Sequence, residues 1–82
     1  MTFELFHEIA HGPSAKARRF VVDHSLEEVI RFRNVTYDEV RADFTARGGT
    51  SLPALWDGEL LHQGAEAVVA RLQIFTSIGR VP

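Results

Sequence analysis

The chain has 82 residues, 45% of them hydrophobic and none of them cysteine, with nine basic against eleven acidic side chains for a formal charge of -2. This length fits one domain, 1–82, whose modest core removes about 60% of the unfolded surface from water. The charge supplies no global field for nucleic acid or an anionic membrane, no apolar run reaches the roughly 18 residues of a membrane span, and the lack of cysteine excludes disulfides and cysteine-based zinc sites.

The start, Met1-Thr2-Phe3-Glu4-Leu5, has no basic stretch ahead of an apolar one, so no signal peptide is expected and the default location is cytoplasmic. Phe3 to Ile9 alternates as a strand, with Phe3, Leu5 and His7 on one face and Phe6 on the other, as in a central strand covered on both sides. Gly12-Pro13 breaks the pattern, and Pro13 suits a first helical turn, where its missing N–H costs nothing. The spacing of Ala17, Phe20, Val21 and His24 predicts a helix over Ser14–His24, with Lys16, Arg19 and Asp23 facing water.

In the segment from Ser25 to Val35, Ile30 and Phe32 alternate with Arg31 and Arg33, which predicts a second strand with one wet face or at a sheet edge. Thr36-Tyr37-Asp38-Glu39 has the capping-box pattern, with Thr36 as cap and Glu39 reaching back. The helix it opens should run from Tyr37 to Ala46, bury Val40 and Phe44, and end at Gly48-Gly49. Ala54-Leu55-Trp56 reads as a short strand, Asp57-Gly58 as a hairpin turn, and Glu59 to His62 as the returning strand. Gln63-Gly64 leads into a last helix over Ala65–Phe75, buried through Val68, Val69, Leu72 and Phe75 or Ile74, and 76–82 reads as a loose tail. The order β-α-β-α-β-β-α makes an α/β domain. A helical crossover joins two parallel strands, a hairpin supplies two antiparallel ones, and a mixed four-stranded sheet with helices on both faces follows.

With these motifs in these places, the chain resembles the thioredoxin-like superfamily, in length and loop economy most nearly a glutaredoxin or the N-terminal domain of a glutathione transferase. The resemblance spans about residues 2–75. His11-Gly12-Pro13-Ser14 is similar to the Cys-Gly-Pro-Cys motif, with His11 and Ser14 at the cysteine positions, and Ala15-Lys16-Ala17-Arg18-Arg19-Phe20-Val21 follows the family's small, basic and apolar pattern. Pro53 in Leu52-Pro53-Ala54-Leu55 matches the family's cis-proline. In the family that bond leaves the N–H and C=O of the preceding residue, here Leu52, free to pair with an extended peptide or the glutathione backbone. Gln63-Gly64-Ala65-Glu66 matches the start of the last helix, where an acidic or hydroxyl residue holds the γ-glutamyl end of glutathione, which makes Glu66 the matching residue.

The departures decide the chemistry. Thiol–disulfide exchange needs a thiolate, and neither His11 nor Ser14 can supply one, so the resemblance implies a redox-inactive scaffold with no catalytic residues assigned. The expected function is binding, in a groove lined by His11, Gly12, Pro13, Ser14, Leu52, Pro53, Gly64, Ala65 and Glu66. The ligand would be a peptide, a protein partner or glutathione, with no other cofactor. Two alternatives stay open. One is a glutathione-dependent enzyme in which Ser14 orients the substrate thiol, although a transferase adds a helical domain for which these residues have no room. The other is a structural module that forms a homodimer through a sheet edge or the Trp56 surface.

Plainer roles accompany each residue. Ser14 reads as a helix cap, His11 as a solvent-facing loop residue, His24 as a satisfied, partly buried histidine and His62 as an exposed one. Arg18, Arg19, Arg31 and Arg33 read as a solvated face, or as a positive patch if the first helix and second strand bring them together. Trp56 reads as sheet packing. The four histidines show no strong ligand spacing, so no metal site is assigned.

Overall fold

A computed structural model describes residues 3–79, and β1 (Phe3–His7) lies at its centre. Its neighbours are β2 (Ile30–Asn34) in parallel and β3 (Ala54–Trp56) antiparallel, and β4 (Leu61–Gln63) pairs antiparallel with β3. The sheet order is β2-β1-β3-β4. The period-two pattern explains the central place of β1. Phe3 and Leu5 point into one core with Ile30 and Leu55, while Phe6 points into the other with Ala54.

Helices cover both faces. On the first, α1 (Gly12–Asp23) and α3 (Ala65–Gly79) supply Ala17, Val21, Val68 and Leu72 to the larger core, with Phe20 and Phe75 packed against it. On the second, α2 (Asp38–Ala46) supplies Phe44 and Val40 against Phe6, Val35, Leu52, Trp56 and Leu61. Among the described residues no helix is long and apolar enough to cross a membrane.

Several expectations need correction. β1 stops at His7, short of Ile9, because the next residues turn: the His11 N–H donates to the Glu8 carbonyl at 3.2 Å. The helix α1 begins at Gly12, two residues before Ser14, and its cap is His11. The expected capping box is not formed. Asn34 Oδ1 takes the Thr36 N–H at 2.9 Å, the cap position falls to Tyr37 without a side-chain bond, and α2 starts at Asp38. Asp38 and Glu39 then favour the first turn through the helix dipole alone. β4 begins at Leu61, after a turn in which Asp57 Oδ1 accepts the N–H groups of Glu59 and Leu60 at 2.9 and 2.8 Å. The last helix runs past Phe75, so residues 76–79 of the expected loose tail are helical, and 80–82 lie outside the described residues. Ile74 is exposed, and Phe75 is the residue that packs on the core.

Two helices end on the same device with different residues. At the end of α2 the Gly49 N–H reaches the Phe44 carbonyl at 2.9 Å and the Gly48 N–H reaches Thr45 at 3.0 Å, with Gly48 in the left-handed region at φ 86°. A side chain at Gly49 would overlap the Phe44 ring, so this close approach also needs glycine. At the end of α1 the Leu26 N–H reaches Val21 at 2.9 Å and the Ser25 N–H reaches Val22 at 3.1 Å, but the left-handed position, φ 54°, is a serine. Ser25→Gly is therefore expected to stabilise the domain by about 0.5–1 kcal/mol, since the left-handed penalty on a Cβ exceeds the extra chain entropy of glycine. Urea unfolding should show a higher midpoint at unchanged slope; a lower midpoint would count against strain at this residue.

Candidate functional site

The topology gathers the candidate residues at one end of the sheet. β1 exits there into α1, β4 exits there into α3, and β3 enters there from Leu52-Pro53. In the antiparallel register Phe6 lies opposite Ala54, and continuing it sets His7 and Glu8 beside Pro53 and Leu52. Ala54 lies opposite Gln63, and the Gly64 N–H donates to the Pro53 carbonyl at 2.8 Å. The start of α1, the bend before β3 and the start of α3 are thus neighbours.

At the start of α1, His11 is half-buried and caps the helix, with Nδ1 accepting the Ser14 N–H at 3.3 Å. Nδ1 must therefore be unprotonated, and the Ser14 hydroxyl, 2.9 Å away, donates to the same nitrogen. Ser14 Oγ in turn accepts the Glu8 N–H at 3.3 Å. Ser14 is fully buried, in the third helical position, and is not the cap. The two expected roles are exchanged: the supposed loop histidine is the cap, and the supposed cap is the buried group that it holds. Gly12 and Pro13 are exposed in the first turn. His11→Ala is expected to cost about 1–2 kcal/mol, because the helix loses its cap and the Ser14 donors lose their acceptor. His11→Asn should restore most of this in a urea titration; if both variants unfold alike, the cap is not what His11 contributes.

The preceding loop is tied down from α1. Arg18 donates from Nη1 to the Glu8 carbonyl at 3.0 Å and from Nη2 to the Ile9 carbonyl at 3.2 Å. The same Nη1 lies 3.2 Å from His7 Nδ1, and since arginine only donates, that nitrogen accepts. The His7 ring is buried and meets Phe32 edge-on at 5.5 Å. Burial, and then the Arg18 charge, push His7 below its usual 6.5. The folded state thus favours neutral His7, and its contribution is complete above the unfolded value. It is lost as pH falls below that value toward the folded one. The unfolding free energy is expected to drop as pH falls below the usual 6.5, and His7→Gln should flatten that drop. Equal pH slopes in both proteins would remove His7 as the source.

At the bend before β3, Pro53 is buried and the Leu52–Pro53 bond is cis. Among the described residues no protein group pairs with the Leu52 N–H or C=O. Gln63 fixes the approach to this bend. Its Oε1 accepts the N–H groups of Thr50 and Ser51 at 2.7 and 2.9 Å, and its Nε2 donates to the Gly48 carbonyl at 3.3 Å. Gly64 takes φ 94° in the tight turn from β4 into α3, Ala65 is half-buried at the helix start, and Glu66 is exposed in the first turn. A cleft of about 280 Å³ runs from Gly12 along Ala15, Lys16 and Arg19; Leu52, Pro53 and Glu66 do not line it. That cleft lies to one side of the bend, along α1.

The other arginines and histidines are dispersed. Arg33 and Arg47 pair with Glu4 and Asp43 on the α2 face, so Arg33 does not belong to the expected solvated face, and with Arg18 at the start of α1 the alternative of a joint positive patch is not formed either. Arg47 lies over Trp56 at 4.9 Å, consistent with a packing role for that ring. His24 is half-buried and stacks on Phe20 at 3.9 Å.

His62 is not a free surface residue: its Nε2 is 2.8 Å from Asp57 Oδ2, which Arg71 Nε also approaches at 3.4 Å. Burial pushes the Asp57 carboxyl up. The Leu60 N–H, His62, the Glu59 N–H and Arg71 together outweigh it and hold the group far below the usual carboxylate range. Among the described residues no three His, Cys, Asp or Glu side chains converge to hold a metal ion.

Comparison with known proteins gives no match: neither a family model, nor a curated protein, nor a solved structure is similar to this chain. Sequence reading missed Arg18 and Gln63 as the residues that position the loops of this surface. Their bonds join side chains to backbone nine to fifteen residues away, which no local pattern announces.

Proposed function

We propose that the chain is a thioredoxin-like domain of glutaredoxin type that works by recognition and not by redox chemistry, binding an extended peptide, a partner loop or glutathione beside Leu52-Pro53. One observation carries this reading: among the described residues the Leu52 N–H and C=O have no partner, at the sheet end where two helices begin. An extended ligand satisfies such groups by backbone pairing. Glu66 stands at one end of the same surface to meet an amino group, and the first turn of α1 at the other favours a carboxylate. A cytoplasmic location and a protein or peptide partner belong to the same reading.

The geometry weighs against the enzyme alternative. A hydroxyl that stabilises a bound thiolate must donate its hydrogen to it. Ser14 gives that hydrogen to His11 and is buried. The test is a glutathione titration followed through amide shifts. Progressive, saturable shifts at Gly12, Leu52 and Glu66 are expected if the ligand is glutathione-like. Shifts at those amides with an extended pentapeptide, and none with glutathione, would assign the surface to peptides. Silence with both sinks the recognition reading.

A further inference from the structure

The sheet has a free edge away from the Leu52 bend. β2 is the outermost strand on the side opposite β4. The Phe3 N–H donates to the Val29 carbonyl at 3.1 Å and the Val35 N–H donates to the His7 carbonyl at 3.0 Å. In a parallel ladder the groups facing the neighbour alternate, so Val29, Arg31, Arg33 and Val35 use the β1 side. The outward groups then belong to Ile30, Phe32 and Asn34. The Ile30 N–H is taken by the Leu26 carbonyl at 3.0 Å and the Asn34 carbonyl by the Tyr37 N–H at 3.2 Å. What remains open is the Phe32 N–H and C=O, flanked by the Ile30 carbonyl and the Asn34 N–H. This is the set that a five-residue antiparallel strand satisfies.

The side chains of this edge fit a partner and not a second copy. Phe32 stays 38% exposed on the Ile30 face of the strand, the α1/α3 side. Arg31 is exposed on the α2 side, and among the described residues it has no ion-pair partner. An antiparallel pairing of two β2 strands centred on Phe32 would set Arg31 opposite Arg33 of the other copy, twice. Moving the centre by one residue sets Arg31 against Arg31 or Arg33 against Arg33. Like charges directly opposite are destabilising, and this edge carries none of the bulges or prolines that usually protect one.

We propose that the β2 edge receives an extended segment of another protein, with acidic residues on the Arg31 side alternating with apolar residues against Phe32. The strand extends the sheet by backbone pairing at Phe32, and Arg31 selects its charge. The site is separate from the Leu52 bend, so either can fail alone.

The probe is the capped peptide Val-Glu-Val-Glu-Val, with Val-Lys-Val-Lys-Val as control, added to the full chain. Amide exchange at Phe32 and Asn34 should slow at least tenfold at saturating acidic peptide, with amides at Leu52 and Glu66 unmoved. Arg31→Glu is an exposed substitution that leaves the fold intact; it should weaken the acidic peptide about three- to tenfold and favour the lysine peptide. Equal binding of the two peptides, protection at Leu52 in place of Phe32, or concentration-dependent protection of Phe32 without peptide would each overturn the proposal. The last outcome would assign the edge to self-association.

Discussion

Phe6→Ala is expected to remove about 3–5 kcal/mol of folding stability. A chain of 82 residues carries roughly 4–12 kcal/mol in all, so the variant loses about a quarter or more of its stability. Phe6 is fully buried at the centre of the second core, where its ring stands 5.3 Å from that of Phe44. It is also the floor on which two guanidinium groups rest, Arg33 at 5.4 Å and Arg47 at 5.5 Å from the ring centroid. Truncation loses the transfer free energy of the ring and leaves a cavity that α2, ended by the Gly49 contact on Phe44, cannot easily collapse into. Phe6→Leu keeps most of the volume and should cost much less, under about 1.5 kcal/mol if the site repacks. Urea unfolding followed by far-UV circular dichroism separates the two. A loss of under about 1 kcal/mol in the alanine variant, the scale of a surface substitution, would show that the second core contributes little.

The same residue explains how much of the fold is legible in the sequence. Phe6 stands between Leu5 and His7 in a short run, and alternation alone makes its strand apolar on both faces, hence central. The end of α2 follows from an equally local signal, Gly48-Gly49, and Pro13 falls in the first turn of α1 as its ring geometry suggests. Local signals fail where a competing bond wins. Thr36 has the right neighbours for a cap, yet Asn34 takes its N–H first and shifts the cap to Tyr37. At the candidate site the positions of Pro53, Gly64 and Glu66 are readable, because turns and helix starts carry their own residue types. The exchange of roles between His11 and Ser14 is not, since it depends on which side chain the Glu8 N–H finds after β1 turns. His62 is misread for the same reason: its partners Asp57 and Arg71 come from a turn and a helix that only the folded sheet brings together.

Glu4→Gln is the second substitution expected to act strongly, at about 2–4 kcal/mol, because it breaks a closed ring of charges on the α2 face. Glu4 Oε1 pairs with Arg33 Nη1, and its Oε2 lies 2.6 Å from Arg47 Nη1. Asp43 Oδ2 completes the ring at 3.1 Å from Arg33 and 3.2 Å from Arg47. Four side chains from β1, β2, α2 and its end thus alternate in sign, and Phe6 and Trp56 shield them from water beneath. Glu4 and Arg33 keep only 15% of their side-chain surface, so their attraction is screened far less than that of an exposed pair. Neutralising Glu4 leaves two guanidinium groups facing each other with one carboxylate between them, and the uncompensated positive charge is what costs stability. A coupled ring behaves differently from a set of independent bonds. Removing Arg33 together with Glu4, as Glu4→Leu with Arg33→Met, leaves Arg47 and Asp43 as a neutral pair and restores apolar contact to Phe6. The double variant should therefore be more stable than Glu4→Leu alone, with a coupling of about 1–3 kcal/mol in the double-mutant cycle. Purely additive losses in that cycle would mean that the four groups act as separate surface pairs, each of which stabilises by well under about 1 kcal/mol.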